Sequence, residues 1–289
     1  MSNKTVKIRL RESPSLRLAV LCGPYLLYLS VLYFLPISKI VALSFAAPDG
    51  LFKNYITFFS NEVYVVSLER SFMISGLVVS LTALLGYPVA LFLANLPRHQ
   101  AQQLMFFVLL PFWTSVLVRS YAWIVILQNS GIINSTLKVL GLVSQPLPLM
   151  FNTFGATVGM TQVLLPFMIL SLYSNLTGID RLVIRAAESM GATRLRIFCQ
   201  ITFPLSLPGL AAGAVLVFVL SLGYYIIPAF LGGAKVLTLA TLIELEVNEL
   251  DNWPIAATAA VILVTLTIAL LIAFDRVIGL GRLYRIRGV

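Results

Sequence analysis

Residues 180–208 read DRLVIRAAESMGATRLRIFCQITFPLSLP and form the longest polar island in an otherwise strongly apolar chain. Asp180 is placed to cap a helix N-terminus, where its carboxylate also suits the positive end of the helix. Leu182, Ala186, Ala187 and Met190 follow at spacings of one, three and four, which predicts one apolar helical face. Gly191 is free to take the left-handed conformation that ends a helix, and Thr193 is placed to cap a second one. That second helix is predicted to carry Leu195, Phe198 and Ile201 on one face and to stop at Pro204. The reading is two short helices around a glycine turn, with Arg181, Arg185, Arg194 and Arg196 facing outward. Small alanines would let a partner's backbone approach, while the bulky residues supply area to bury.

The rest of the chain reads as membrane. Of 289 residues, 59% are hydrophobic and 11% charged, against about 25% charged in soluble proteins. Six stretches reach the roughly 20 residues a bilayer crossing needs: 18–45, 72–96, 102–127, 153–173, 207–230 and 255–274. The first is too long for a signal-peptide core. Residues 49–69 and 231–253 are expected as outer loops, and 128–151 as an outer segment with a short helix built on Ile132, Ile133, Leu137 and Leu140. An even number of spans places both termini on one side. Fourteen lysines and arginines then fall on the inner segments, against Lys53, Arg70, Lys138 and Lys235 outside, so the termini and the polar island are expected in the cytoplasm. The expected organisation is a polar tail over 1–17, a six-span domain over 18–277 and a tail over 278–289. The net charge of +9 follows from this asymmetry and does not call for nucleic acid.

Several chemistries have no residues to support them. There is no glycine-rich phosphate loop followed by Lys and Ser or Thr, so the usual route of ATP hydrolysis is excluded. His99 is the single histidine. Cys22 and Cys199 are too far apart in sequence for an ordinary zinc or iron–sulfur site of their own. No nucleophile motif is present, and no cofactor is expected in this chain.

The island resembles the cytoplasmic loop of binding-protein-dependent ABC importer permeases, whose pattern is EAA, three residues, G, nine residues, I, one residue, LP. Ala186, Ala187, Gly191, Ile201 and Pro204 fall in register, with Glu188 and Ala192 beside them, while Arg185 replaces Glu and Phe203 replaces Leu. The resemblance implies that residues 176–206 seat in a groove of an ATPase subunit and carry its closure to the spans, with ATP and Mg²⁺ held by that partner. Arg185 reverses the charge of the usual contact.

Within the third span, residues 109–123 read LLPFWTSVLVRSYAW. Arg119 is costly to bury and calls for a cavity or a carboxylate. One reading makes Trp113, Thr114, Arg119, Tyr121 and Trp123 a translocation wall; the other makes them interfacial aromatics with a snorkelling arginine. Pro111 and Pro166 suit bends. Glu244, Glu246, Glu249 and Asp251 form the densest acidic cluster, which would attract a cationic cargo, dock a binding protein or solvate a loop. Tyr224 and Tyr225 lie nearer the membrane. The run PFWTSVLVRSYAW, the GGAK at 232–235 and the DNWPIAATAA at 251–260 resemble permeases of spermidine/putrescine importers. This implies an all-α, six-span permease in a bacterial inner membrane, working with a second permease, two ATPase subunits, a periplasmic binding protein and membrane lipid. The same architecture serves opine-like or amino-acid-like solutes, and a non-catalytic membrane anchor is the rival from another class.

Overall fold

The structure, a computed structural model, describes residues 14–48 and 50–278; the predicted tails lie outside them except for Pro14–Arg17 and Ile278, which are helical. The described residues form twelve α-helices joined by short turns, with no strand among them. Six helical stretches are long and apolar enough to cross a bilayer: Cys22–Ser44, Glu62–Asn95, Val116–Val139, Thr153–Thr177, Arg194–Leu222 and Trp253–Arg276.

Helix α7 (Thr153–Thr177) is the centre of the molecule. It is apolar on nearly every side, which is the signature of a helix surrounded by others, and it packs between α3 (Glu62–Asn95) and α10 (Phe203–Leu222). The buried side of α3 carries Ser75, Val78, Thr82, Gly86 and Ala90, mostly small residues that let two backbones come close, with Gly86 against Leu165, Met168 and Ile169 of α7. The crossing with α10 is closer still. A Cβ on Gly209 would lie 2.4 Å from Asn175 Cβ, and one on Gly213 would lie 2.7 Å from Met168 Sδ. The Ser171 hydroxyl donates to the Gly209 carbonyl at 2.8 Å. Gly209-Leu210-Ala211-Ala212-Gly213 is a small-residue seam of the kind that joins membrane helices without a hydrophobic driving force.

Helices α1 (Pro14–Ser44) and α12 (Trp253–Ile278) pack together at the edge. They are tied at buried Ser44, whose carbonyl accepts from Asn54 and Thr258 and whose hydroxyl pairs with Tyr55.

Four departures from the sequence reading have local causes. The predicted outer loop 49–69 is mostly helical: α2 (Lys53–Ser60) is followed at once by α3, because the Asn61 side chain accepts from the Val63 amide and starts a new helix. Helix α3 therefore begins ten residues early and, at 34 residues, runs roughly 50 Å. The predicted span 102–127 is two helices, α4 (Arg98–Leu109) and α5 (Val116–Leu127), meeting at a 3₁₀ turn over Leu110–Trp113 where Pro111 has no amide to give. The third apolar stretch instead takes in α5 and α6 (Ile132–Val139). In α6, buried Asn134 is the anchor, bonded to Gln128 and Leu147, while Ile132 and Leu140 are exposed. Finally, α10 ends at Leu222, and the predicted outer loop 231–253 holds another helix, α11 (Leu239–Asn248), capped by Thr238 and Thr241 and packed on α3 and α12.

Candidate functional site

The polar island folds as a hairpin of α8 (Arg181–Ser189) and α9 (Arg194–Ile197). Asp180 Oδ1 accepts from the Leu182 amide at 2.9 Å, and Thr193 Oγ1 accepts from Arg196, so both predicted caps are present. Gly191 has φ +78°. Its amide donates to Glu188 and the Ala192 amide donates to Ala187, closing α8 with a paired C-terminal motif that needs a left-handed residue between.

The predicted end at Pro204 does not occur. Arg194 to Leu222 is one continuous helix in which Phe198–Thr202 forms a π turn, with the Phe203 amide reaching back five residues to Phe198. The wider turn brings the chain into α10 with Pro204 in its first turn, where a missing amide costs nothing. It also resets the buried face. Ile197 and Thr202 point inward and Phe198 and Ile201 are half-buried, while Leu195, the first residue of the predicted Leu195–Phe198–Ile201 stripe, is exposed. Phe198 and Phe203 close on Tyr87 of α3, with ring centroids 5.9 and 5.8 Å away.

Helix α8 has two faces. Leu182, Ala186 and Met190 are exposed on one side, with Leu195 of α9 also bare. Arg181, Ile184 and Glu188 lie about half a turn away, as 100° per residue requires, and line a cleft of ≈ 880 Å³. The ends of α3 and α7, Arg98, Arg194 and Phe198 complete it. Ala187 is buried, and Arg185, Gly191 and Pro204 are exposed, with Ala192 and Ile201 half-buried. Between the end of α7 and the start of α10 the connection covers 178–202, shorter at both ends than the expected 176–206.

A second grouping lies in the membrane-spanning part. Arg119 and Trp123 sit one turn apart on α5; Trp123 and Tyr224 pack against the core around α7. The Arg119 guanidinium is within electrostatic reach of the Tyr224 phenol, and its Nε and Nη1 are buried without an acceptor among the described residues. Trp113 and Tyr121 are exposed, Tyr121 on the opposite side of α5, and the Thr114 hydroxyl is spent on the Pro111 carbonyl. The single chain thus brings together Arg119, Trp123 and Tyr224, and leaves Trp113, Thr114, Tyr121 and exposed Tyr225 outside that group.

The acidic cluster disperses. Glu246 is 2% exposed and turns inward to accept from Tyr64 at 2.7 Å. Half-buried Glu244 accepts from Asn248, and exposed Asp251, at φ +51°, accepts from the Trp253 indole. Sequence reasoning passed over Tyr64, Arg98 and the Gly209–Gly213 seam. The seam had a local signal in its four-residue spacing, whereas Tyr64 acquires its partner, and Arg98 its place on the cleft, only through tertiary packing.

Residues 71–279 match the family described as binding-protein-dependent transport system inner membrane component. The chain is similar to the spermidine/putrescine transport system permease protein PotB of Escherichia coli (strain K12), 33% identical over 252 residues that cover 84% of this chain and 90% of that one. Its fold is similar to a solved bacterial ABC transporter involved in import of the acidic polysaccharide alginate, with TM-score 0.74 at 17% identity over 91% of this chain and 95% of the other. A structure of a bacterial alginate transporter in complex with an alginate pentasaccharide-bound periplasmic protein aligns at TM-score 0.74 and 18% identity, covering 91% and 93% of the two chains.

Proposed function

The chain belongs to the family of binding-protein-dependent transport system inner membrane components, and from that premise we propose that its cargo is a polyamine of the spermidine/putrescine kind. It is a permease subunit of an ABC importer, a multi-pass inner-membrane protein and not an enzyme; ATP hydrolysis is done by a separate ATPase. The observation that carries the cargo reading is the 33% identity to PotB over 84% of the chain.

In this reading the termini and the α8–α9 hairpin are cytoplasmic. The exposed face of Leu182, Ala186, Met190 and Leu195 seats in a groove of an ATPase subunit, with Gly191 fixing the hairpin's shape, Arg185 and Ala192 at its rim and Glu188 on the side of α8 turned away from it. Ile201 and Pro204 join the hairpin to α10. A second permease, two ATPase subunits with their ATP and Mg²⁺, and a periplasmic binding protein complete the machine. Nucleotide-driven closure of the ATPases moves the hairpins, and the spans alternate between outward and inward openings. Trp123, Tyr224 and Tyr225 supply aromatic faces for an ammonium group, and Trp113, Thr114, Tyr121, Glu244 and Asp251 are assigned to the path formed with the second permease.

One observation favours a second reading. An arginine with two buried, unpartnered nitrogens is expensive within a membrane unless an acceptor arrives. A cargo bearing an anionic group beside its amine, opine-like or amino-acid-like, would supply it. Uptake of labelled putrescine and spermidine, in cells holding the native partners with and without this chain, tests the proposal. Uptake that vanishes with the chain supports polyamine cargo; unchanged uptake overturns it and turns attention to zwitterionic solutes.

A further inference from the structure

We propose that the cleft behind the α8–α9 hairpin binds the phosphate of an anionic phospholipid from the adjacent leaflet. Three arginines line it, Arg98, Arg181 and Arg194, against one acidic residue, Glu188. The α8 residues that line the cleft, Arg181, Ile184 and Glu188, lie on the side away from exposed Leu182, Ala186 and Met190, so the cleft belongs to a different surface from the one assigned to the ATPase. Arg181 is already set in place: its Nη2 donates to the Ala94 carbonyl at the end of α3, at 3.1 Å. A planar fork held in this way matches phosphate oxygens better than a mobile ammonium would.

Depth and lining favour a lipid as the source of the phosphate. The cleft opens where α3 and α7 end, and Arg98 starts α4 just past the Leu96-Pro97 turn, the level at which spans leave the hydrocarbon for the headgroups. Basic pockets at the ends of membrane helices on the cytoplasmic side are suited to anionic headgroups. Leu91, Leu96, Leu176 and Ile184 add an apolar wall that a free phosphate would not use but a glycerol backbone and its acyl chains would. A lipid held here ties the hairpin to the ends of α3 and α7, so its removal loosens the element that receives the ATPase. Only the choice of leaflet rests on the cytoplasmic reading of the hairpin.

The test uses the whole importer, with its second permease and ATPases, in nanodiscs of phosphatidylcholine alone or with phosphatidylglycerol added. Retained phosphatidylglycerol is counted by native mass spectrometry, and ATPase stimulation by the binding protein is measured in parallel. The unaltered complex is expected to retain the anionic lipid and to be stimulated more strongly in its presence. Arg98→Gln, which lies outside the hairpin, should weaken retention about tenfold, the effect of losing one charge-assisted hydrogen bond, and Arg98→Lys should weaken it less. Equal retention by the unaltered and Arg98→Gln complexes overturns the proposal. So does full recovery of stimulation in phosphatidylcholine on adding glycerophosphate or inorganic phosphate, which would make the ligand soluble. Failure of the hairpin reading looks different: ATPase subunits would remain bound and active whatever is done to the exposed face, while lipid counting is unaffected.

Discussion

Tyr64 and Glu246 stand 182 positions apart and share a hydrogen bond of 2.7 Å, the phenol donating to Oε1. The second carboxyl oxygen is buried with no partner among the described residues. This contact pins α11 to the start of α3 and turns inward the acid that sequence alone places in a surface cluster. Tyr64→Phe is expected to destabilise the protein by about 1–3 kcal/mol, because it leaves a second buried oxygen without a donor. The midpoint of thermal unfolding in detergent reads this directly. Adding Glu246→Leu to Tyr64→Phe should recover part of the loss, since an apolar pair leaves nothing unsatisfied. An unchanged midpoint in the single variant would mean the bond contributes nothing.

The α7–α10 seam predicts an ordering of two glycine substitutions. A methyl at Gly209 meets the Cβ of Asn175, which cannot move without the α7 backbone, whereas one at Gly213 meets the flexible Met168 sulfur. Gly209→Ala should therefore cost more than Gly213→Ala, within the roughly 1–3 kcal/mol typical of overpacking. Yield of monodisperse protein and its unfolding midpoint would rank them; the reverse order contradicts the packing described here.

Gly191 separates conformation from contact. Among the described residues nothing beyond its chain neighbours lies within 4 Å of where its Cβ would be, so Gly191→Ala bears only the strain of a positive φ, about 1–2 kcal/mol. That variant should fold and keep its ATPase. Gly191→Trp should also leave the spans intact but eject the ATPase during co-purification. Retention of a fully active ATPase by the tryptophan variant would remove the hairpin from the docking surface and favour a membrane anchor.

Arg119 distinguishes the two cargo readings. Replacing it with Gln removes an unpartnered guanidinium from the spans, so stability should hold or rise. If the cargo is a polyamine, uptake by Arg119→Gln should persist. If the cargo carries an anion, uptake should fall at least about tenfold while Arg119→Lys keeps part of it. Competition uptake assays with putrescine and an amino acid decide between them.

Much of this architecture is written locally and was therefore legible in the sequence. Asp180, Gly191 and Thr193 act through the backbone within three residues of themselves, and their caps follow from residue type. The six apolar stretches are set by length and composition. What could not be read depends on longer-range relations. Pro204 looks like a helix stop until a π turn removes the demand for its amide, and such a turn leaves no signature in residue type. Tyr121 and Arg119 look like one wall in a written run but fall on opposite sides of α5. Glu246 looks solvated beside Glu244 and Glu249 until α11 folds against Tyr64.

The unbroken helix from Arg194 to Leu222 has a mechanical consequence. There is no slack between the hairpin and the spans, and Gly209, fastened to α7 by the Ser171 hydrogen bond, lies close to the middle of the rod. Moved as one unit, such a rod would act as a see-saw about Gly209. Pushing the Arg194 end one way would then swing the Leu222 end the other, and the next residues along are Gly223, Tyr224 and Tyr225. A displacement delivered at the Arg194 end would thus have to cross only the short Gly223–Tyr225 turn to reach the tyrosine near Arg119.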